Sequence, residues 1–186
     1  MPNTTRPKLL SGGHRGAEAE FGRAAKRWGL EQTTFSFEGH DMEWPVSVKL
    51  LTGTELAAGD ISMEIVSKRM GRAYHQPGLI RRVIQSIYHM VNGAFQVFAI
   101  GWIQADDTVK GGTGWGVELS KLFNRPVAVF DQARDEWFAW HDGRWVPEAP
   151  VIADKPFAGT GTRKLTDAGR AAIADLFQRS FGDPKS

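Results

Sequence analysis

Three short stretches place glycine where a chain can bind phosphate: Ser11-Gly12-Gly13-His14-Arg15-Gly16, Gly111-Gly112-Thr113-Gly114 and Gly159-Thr160-Gly161-Thr162-Arg163. A phosphate oxygen is held best where several backbone N–H groups converge at a helix start, and a Cβ there blocks the approach. Taken singly, each stretch equally fits a tight strand-to-helix turn. Together they point to one anion site. Arg15 and Arg163 beside their glycines can grip a phosphate through two N–H groups at once, or simply be solvated at the surface. Ser11, Thr160 and Thr162 can add hydroxyl contacts. Ser11 has no base at the spacing of an activated nucleophile, which disfavours acyl transfer.

Other chemistries are poorly supplied. There is no cysteine, so disulfides, thiolate metal sites and cysteine nucleophiles are all absent. His14, His75 and His89 lack metal-ligand spacing, and His40 with Asp41 and Glu43 reads as a loose polar loop. Neither a metal nor a cofactor is implied. A formal net charge of +2 commits the chain to neither nucleic acid nor an anionic membrane. The first residues lack the apolar run of a signal peptide, and no stretch is long and apolar enough to span a bilayer, so a cytoplasmic protein without membrane attachment is expected.

The elements that must position these residues alternate in type. Lys8 to Leu10 reads as a strand, Ala17 to Trp28 as a helix closed by Gly29, and Thr33 to Phe37 as a second strand. Residues 38 to 58 read mostly as loop. Asp60 to Arg69 is expected to be helical, with Ile61, Ile65 and Met70 near one face. Leu79 to Met90 carries Leu79, Val83, Ile84, Ile87 and Met90 on one stripe, with Arg81, Arg82 and Gln85 off it. Phe95 to Ile103 is almost continuously apolar, as in a buried parallel strand. Val117 to Phe123 reads as a helix, Pro126 to Phe130 as a strand, and Phe138 to Pro147 as a hairpin turning at Asp142-Gly143. A final strand begins at Phe157, and a helix capped by Thr166 or Asp167 runs to about Phe181. The fold class expected is α/β: one Rossmann-like, three-layer domain over residues 1–186 with a mostly parallel sheet and a hairpin appendage near 137–147.

The motifs resemble those of the SLOG superfamily, which joins the lonely-guy phosphoribohydrolases, YpsA-like proteins and the DNA-processing protein DprA. Lys110-Gly111-Gly112-Thr113-Gly114-Trp115-Gly116-Val117-Glu118 matches the family's Pro-Gly-Gly-x-Gly-Thr-x-x-Glu motif without gaps, and Arg81-Arg82 stands where the phosphoribohydrolases carry an Arg-Lys pair. Ser11 to Glu18, SGGHRGAE, is similar to the SGGARGAD motif of YpsA-like members. Ala158 to Arg163 resembles the family's opening AGSR loop but stands near the end of this chain. The resemblance therefore implies a circular permutation, of the YpsA-related branch. Lys110 and Trp115 depart from the motif's proline and threonine, removing one hydroxyl contact. Trp115 either stacks on a base or packs.

What the resemblance implies is a nucleotide or NAD-derived ligand, with Ser11, Gly12, Gly13, Arg15, Arg81, Gly111, Gly112, Thr113, Gly114, Trp115, Gly159, Thr160, Gly161, Thr162 and Arg163 binding it. A sensor or sequestering protein is the first reading. The alternative is a phosphoribohydrolase cleaving a nucleoside monophosphate, with Glu118 assisting water and Arg82 orienting it. For Glu118 the plainer role is a first-turn helix acid. Single-stranded DNA binding is a third class, disfavoured by the weak net charge and the lack of a basic stripe. The stripe from Leu79 to Met90 serves either as core or as the face of a homodimer.

Overall fold

The computed structural model describes residues 7–75 and 78–184. Eight strands form one sheet: β1 (Lys8–Ser11), β2 (Glu31–Ser36), β3 (Val48–Leu50), β4 (Gln96–Gly101), β5 (Val127–Asp131), β6 (Glu136–His141), β7 (Arg144–Pro147) and β8 (Phe157–Gly161), in the order β3-β2-β1-β8-β4-β5-β6-β7. The first six strands of that order are parallel, and β6 and β7 add an antiparallel margin. The α/β, Rossmann-like class is therefore as expected. The hairpin is a continuation of the sheet rather than a separate appendage. Its turn uses left-handed Asp142 and Gly143, with φ of 48° and 78°, which matches the twist of the flanking strands.

The last strand, β8, lies between β1 and β4, in the middle of the parallel sheet. Its neighbours run Leu9↔Phe157 on one side and Val97↔Ala158 on the other. The fold thus brings the carboxyl ends of β1, β8 and β4 side by side, although they come from opposite ends of the sequence.

Helices α1 (Ala17–Arg27) and α6 (Asp167–Phe181) cover one face, where Phe21, Phe98, Phe157, Ile173 and Phe177 share a core. The other face carries α2 (Gly53–Ala57), α3 (Asp60–Met70), α4 (Leu79–Gly93) and α5 (Thr113–Leu122) over Leu10, Val97, Ala99, Val129 and Ala158. Strands buried on both faces explain the nearly continuous apolar runs of β4 and β5. Among the described residues no helix is long and apolar enough to cross a membrane.

The local chemistry is legible in each helix. In α1, Glu18 and Glu20 occupy the first turn and Lys26 and Arg27 the last, complementing the helix dipole. Thr166 caps α6 by accepting the Gly169 N–H. Left-handed Gly29 follows α1.

Several expectations are corrected. The region read as loop contains β3 and α2, the latter opened by a capping box in which Thr52 and Glu55 satisfy each other's backbone N–H groups. Along α3 the buried residues are Met63 and Val66, whereas Ile61 is 80% exposed, so the inward face is not the one expected. On α4 the stripe is core for Ile84, Ile87 and Met90, but Leu79 is exposed, and the off-stripe Gln85 is buried where it donates to Asp60. Helix α5 begins inside the glycine stretch, at Thr113 instead of Val117, and Gly159 to Gly161 belong to β8 rather than to a loop.

Candidate functional site

A cleft of about 590 Å³ opens over the carboxyl ends of β1, β8 and β4. This is where open α/β sheets hold ligands, and the volume suits a small organic molecule. One wall is apolar, from Val83, Ile87 and Met90 of α4 with Trp102 after β4. The opposite side is polar, built from Gly12, His14, Glu18, Thr160 and Gly161, with Lys110, Arg163 and Lys164 supplying positive charge. Those three cations are exposed and form no salt bridge among the described residues.

The loops that make this rim interlock. The Ala17 N–H donates to the Thr162 carbonyl at 3.0 Å, and a Cβ at Gly16 would stand 2.5 Å from that same oxygen. Gly16 has φ of 95°, so only glycine lets the β8 end pass so close to the start of α1.

Gly111, with φ of 69°, is glycine because its backbone is left-handed, whereas Gly112 has no such need. A Cβ on either would meet nothing within 4 Å, and Gly112 has an ordinary helical φ of −61°. Internal packing therefore does not require glycine at 112. Both residues border the cleft, and no acceptor for the N–H groups of Gly111, Gly112 or Thr113 is found among the described residues. The first N–H groups of a helix have no partner within it and attract anions. Arg72 holds the far side of this loop, donating to the carbonyls of Val109 and Gly111 at 2.9 Å each.

Glu18 is the one carboxyl lining the cleft among the described residues. It is 5% exposed; its Oε2 accepts the His14 N–H at 3.1 Å and its Oε1 accepts the Thr160 hydroxyl at 2.9 Å. Burial pushes its pKa up, and the hydrogen bonds from His14 and Thr160 oppose that shift.

His14 and His40 meet beside the cleft, with their Nε2 atoms 2.9 Å apart. His14 Nδ1 lies 3.2 Å from an Arg163 guanidinium nitrogen, and His40 Nδ1 lies 3.1 Å from the Ser36 hydroxyl. Burial lowers both imidazoles to a pKa of about 4; Arg163 adds to the effect on His14 and His14 to that on His40, while Asp41 opposes it at both.

Of the residues singled out from sequence, the structure gathers Gly12, Gly111, Gly112, Thr113, Thr160, Gly161, Thr162 and Arg163 at the cleft. It places the others elsewhere. Ser11 is buried and donates to the Gly159 carbonyl, tying β1 to β8. Left-handed Gly13 packs under Trp44, and Gly159 under Phe21. Arg15 is exposed outside the cleft lining. Gly114 is pressed against the Val109 carbonyl, and Trp115 is 6% exposed with its ring 6.0 Å from Tyr74, so its indole packs in the core rather than facing a base. Arg81 pairs with Asp60 at 3.5 Å, and Arg82 donates to the Glu38 carbonyl. Glu118 faces Lys121 at 3.3 Å. The expected catalytic pair, Glu118 and Arg82, is therefore not brought together at the cleft.

Sequence reasoning missed Lys110, Lys164, His14, His40, Glu18 and Arg72 as contributors. Glu18 carried a signal, since it closes the SGGHRGAE motif; the pairing of His14 with His40 carried none.

The architecture defines a Rossmann-like α/β class of fold with a cleft at the carboxyl ends of its central strands. No family model matches the sequence, and no curated protein matches it. Among solved structures, the chain is similar to a putative molybdenum carrier protein from Syntrophus aciditrophicus, with a TM-score of 0.52, 13% identity and 94% of each chain covered. At that identity the likeness speaks for the fold.

Proposed function

We propose that this protein binds a phosphorylated small molecule, a nucleotide or NAD-derived compound, with its anionic group against the Gly111-Gly112 backbone. The observation that carries this reading is Gly112: a glycine with unstrained φ and open space around it, at a helix start, facing three cations without carboxylate partners among the described residues. Lys110, Arg163 and Lys164 meet the phosphate charge, Thr162 offers its hydroxyl, Thr160 holds Glu18 beside it, and the apolar wall of Val83, Ile87, Met90 and Trp102 receives a base or ribose. The neighbour's name speaks of carrying molybdenum; a small molybdenum oxyanion at this cleft would use the cations and leave that wall idle. The resemblance to the SLOG superfamily supports the same reading, and β8, which carries the AGSR-like segment, lies beside β1 as a permuted YpsA-like order requires.

Calorimetric titration with adenosine 5′-monophosphate tests it. Binding weakened at least about 100-fold by Gly112→Val, whose side chain enters the cleft without straining the backbone, is the expected result. Tight binding of molybdate with none of the nucleotide would overturn it.

A second reading, N-glycosidic hydrolysis, is favoured by one observation: Glu18 is a buried acid with a raised pKa within the cleft. In that case the acid is Glu18 and not Glu118. Release of free adenine, abolished in Glu18→Gln and retained in Glu118→Gln, is its signature.

A further inference from the structure

Four side chains from separate segments form one hydrogen-bonded line into the cleft: Ser36 at the end of β2, His40 four residues on, His14 after β1, and Arg163 after β8. The directions along this line follow from the donor at one end. A guanidinium only donates, so His14 Nδ1 accepts and its proton sits on Nε2. The Nε2–H of His14 then donates to His40 Nε2, which leaves the His40 proton on Nδ1, donating to the Ser36 hydroxyl. Both rings must be neutral, because a second proton on either would set N–H against N–H. The ring planes, inclined at 71°, suit a donation from one edge to the other, and Phe37 stacks on His40 at 4.5 Å and fixes that ring.

We infer that His14 and His40 are positioning residues that hold the Arg163 guanidinium at the cleft as a neutral relay anchored on Ser36. The inference rests on the ligand reading above for what Arg163 grips, and on geometry alone for the relay. Arg163 is exposed and has no carboxylate partner among the described residues. Without His14 its long side chain would sample many rotamers and lose that entropy again on each binding event. The charged groups facing His14 are Arg163 and Asp41, with Glu18 accepting its backbone N–H. Those facing His40 are Asp41 and Arg163, with the titratable but neutral His14 ring between. The lowered pKa values agree with a relay that is neutral at physiological pH. Its purpose would be to present a fixed donor fork to a phosphate monoester while adding no further positive charge.

Two measurements on the intact chain decide this. Nitrogen-15 imidazole spectra of the free protein are expected to show His14 as the Nε2–H form and His40 as the Nδ1–H form, unchanged from pH 8 to pH 5.5. The opposite tautomers, or ordinary titration near pH 6.5, would overturn the relay whether or not any nucleotide binds. In titrations with adenosine 5′-monophosphate, His14→Ala is expected to weaken binding about 10-fold and Arg163→Ala about 100-fold. The double variant should be no worse than Arg163→Ala, and His14→Asn, which keeps an acceptor where Nδ1 stood, should recover most of the loss. Fully additive losses, or no rescue by asparagine, would show that His14 does not act through Arg163. Absence of nucleotide binding in the wild type would defeat the functional reading while the spectra still decide the relay.

Discussion

The cleft rim and the outer side of α5 use the same kinds of residues to opposite ends. Beside the hairpin, Lys121 is 7% exposed in its side chain, 3.3 Å from Glu118, 3.7 Å from the Trp140 ring centre, and donates to the Asp107 carbonyl at 3.0 Å. Trp145 shares that carbonyl through its indole N–H, also at 3.0 Å. There Lys121 and Glu118 answer each other's charge. At the cleft, Lys110, Arg163 and Lys164 form no salt bridge among the described residues, Arg163 reaches a histidine nitrogen instead of a carboxylate, and Gly112 borders open space. The comparison teaches that a motif residue is read by its partners: Glu118 stands in the most family-like stretch, yet its charge is spent on packing the hairpin against α5. In the proposed reading, the ligand supplies the complement missing at the cleft.

The largest effect expected from breaking this contrast is in stability. Glu118→Gln leaves Lys121 buried without its counter-charge, and urea unfolding should register a loss of about 2–3 kcal/mol with nucleotide affinity unchanged. A drop in affinity without a drop in stability would move Glu118 back into the site. A smaller and opposite pattern is expected for Lys110→Ala and Lys164→Ala. Each should leave stability within about 0.5 kcal/mol of wild type and weaken adenosine 5′-monophosphate about 3- to 10-fold, less so at high salt.

The subtlest change is in pH dependence. The folded pKa of His14 and His40, about 4, lies below the unfolded 6.5, so between those values the unfolded chain binds more protons and stability rises with pH. Unfolding free energy should therefore decline as pH falls from about 6.5 towards 4, and the slope should flatten in a His14→Asn/His40→Asn variant. An unaltered slope would assign the acid sensitivity to other groups.

Much of the architecture was legible because apolar runs and glycine punctuation report local conformation. The buried strands Gln96–Gly101 and Val127–Asp131 and the hairpin at Asp142-Gly143 all follow from such patterns. Helix α2 was missed: Thr52 and Glu55 stand at capping-box spacing, but exposed Val48 and Leu50 mixed with charges mask the periodicity around it. Placing the start of helix α5 at Val117 failed because glycine is tolerated in a first helical turn as well as in a loop, and of the two roles open to Trp115 the packed one holds. Gly159 looked like a phosphate glycine, yet it is bare because a Cβ would stand 2.5 Å from the Phe21 ring. The His14–His40–Arg163 line was beyond any local pattern, since sheet order alone joins residues 14, 40 and 163.

The central claim, that the Gly111-Gly112 helix start is an anion seat, is tested most directly by amide chemical-shift mapping during titration with adenosine 5′-monophosphate. The account predicts that the largest shifts fall on Gly111, Gly112 and Thr113, with smaller ones at Gly12 and Thr162. Saturable shifts confined to another surface, such as the depression beside Trp28 and Phe181, with the 111–113 amides unmoved, would contradict it.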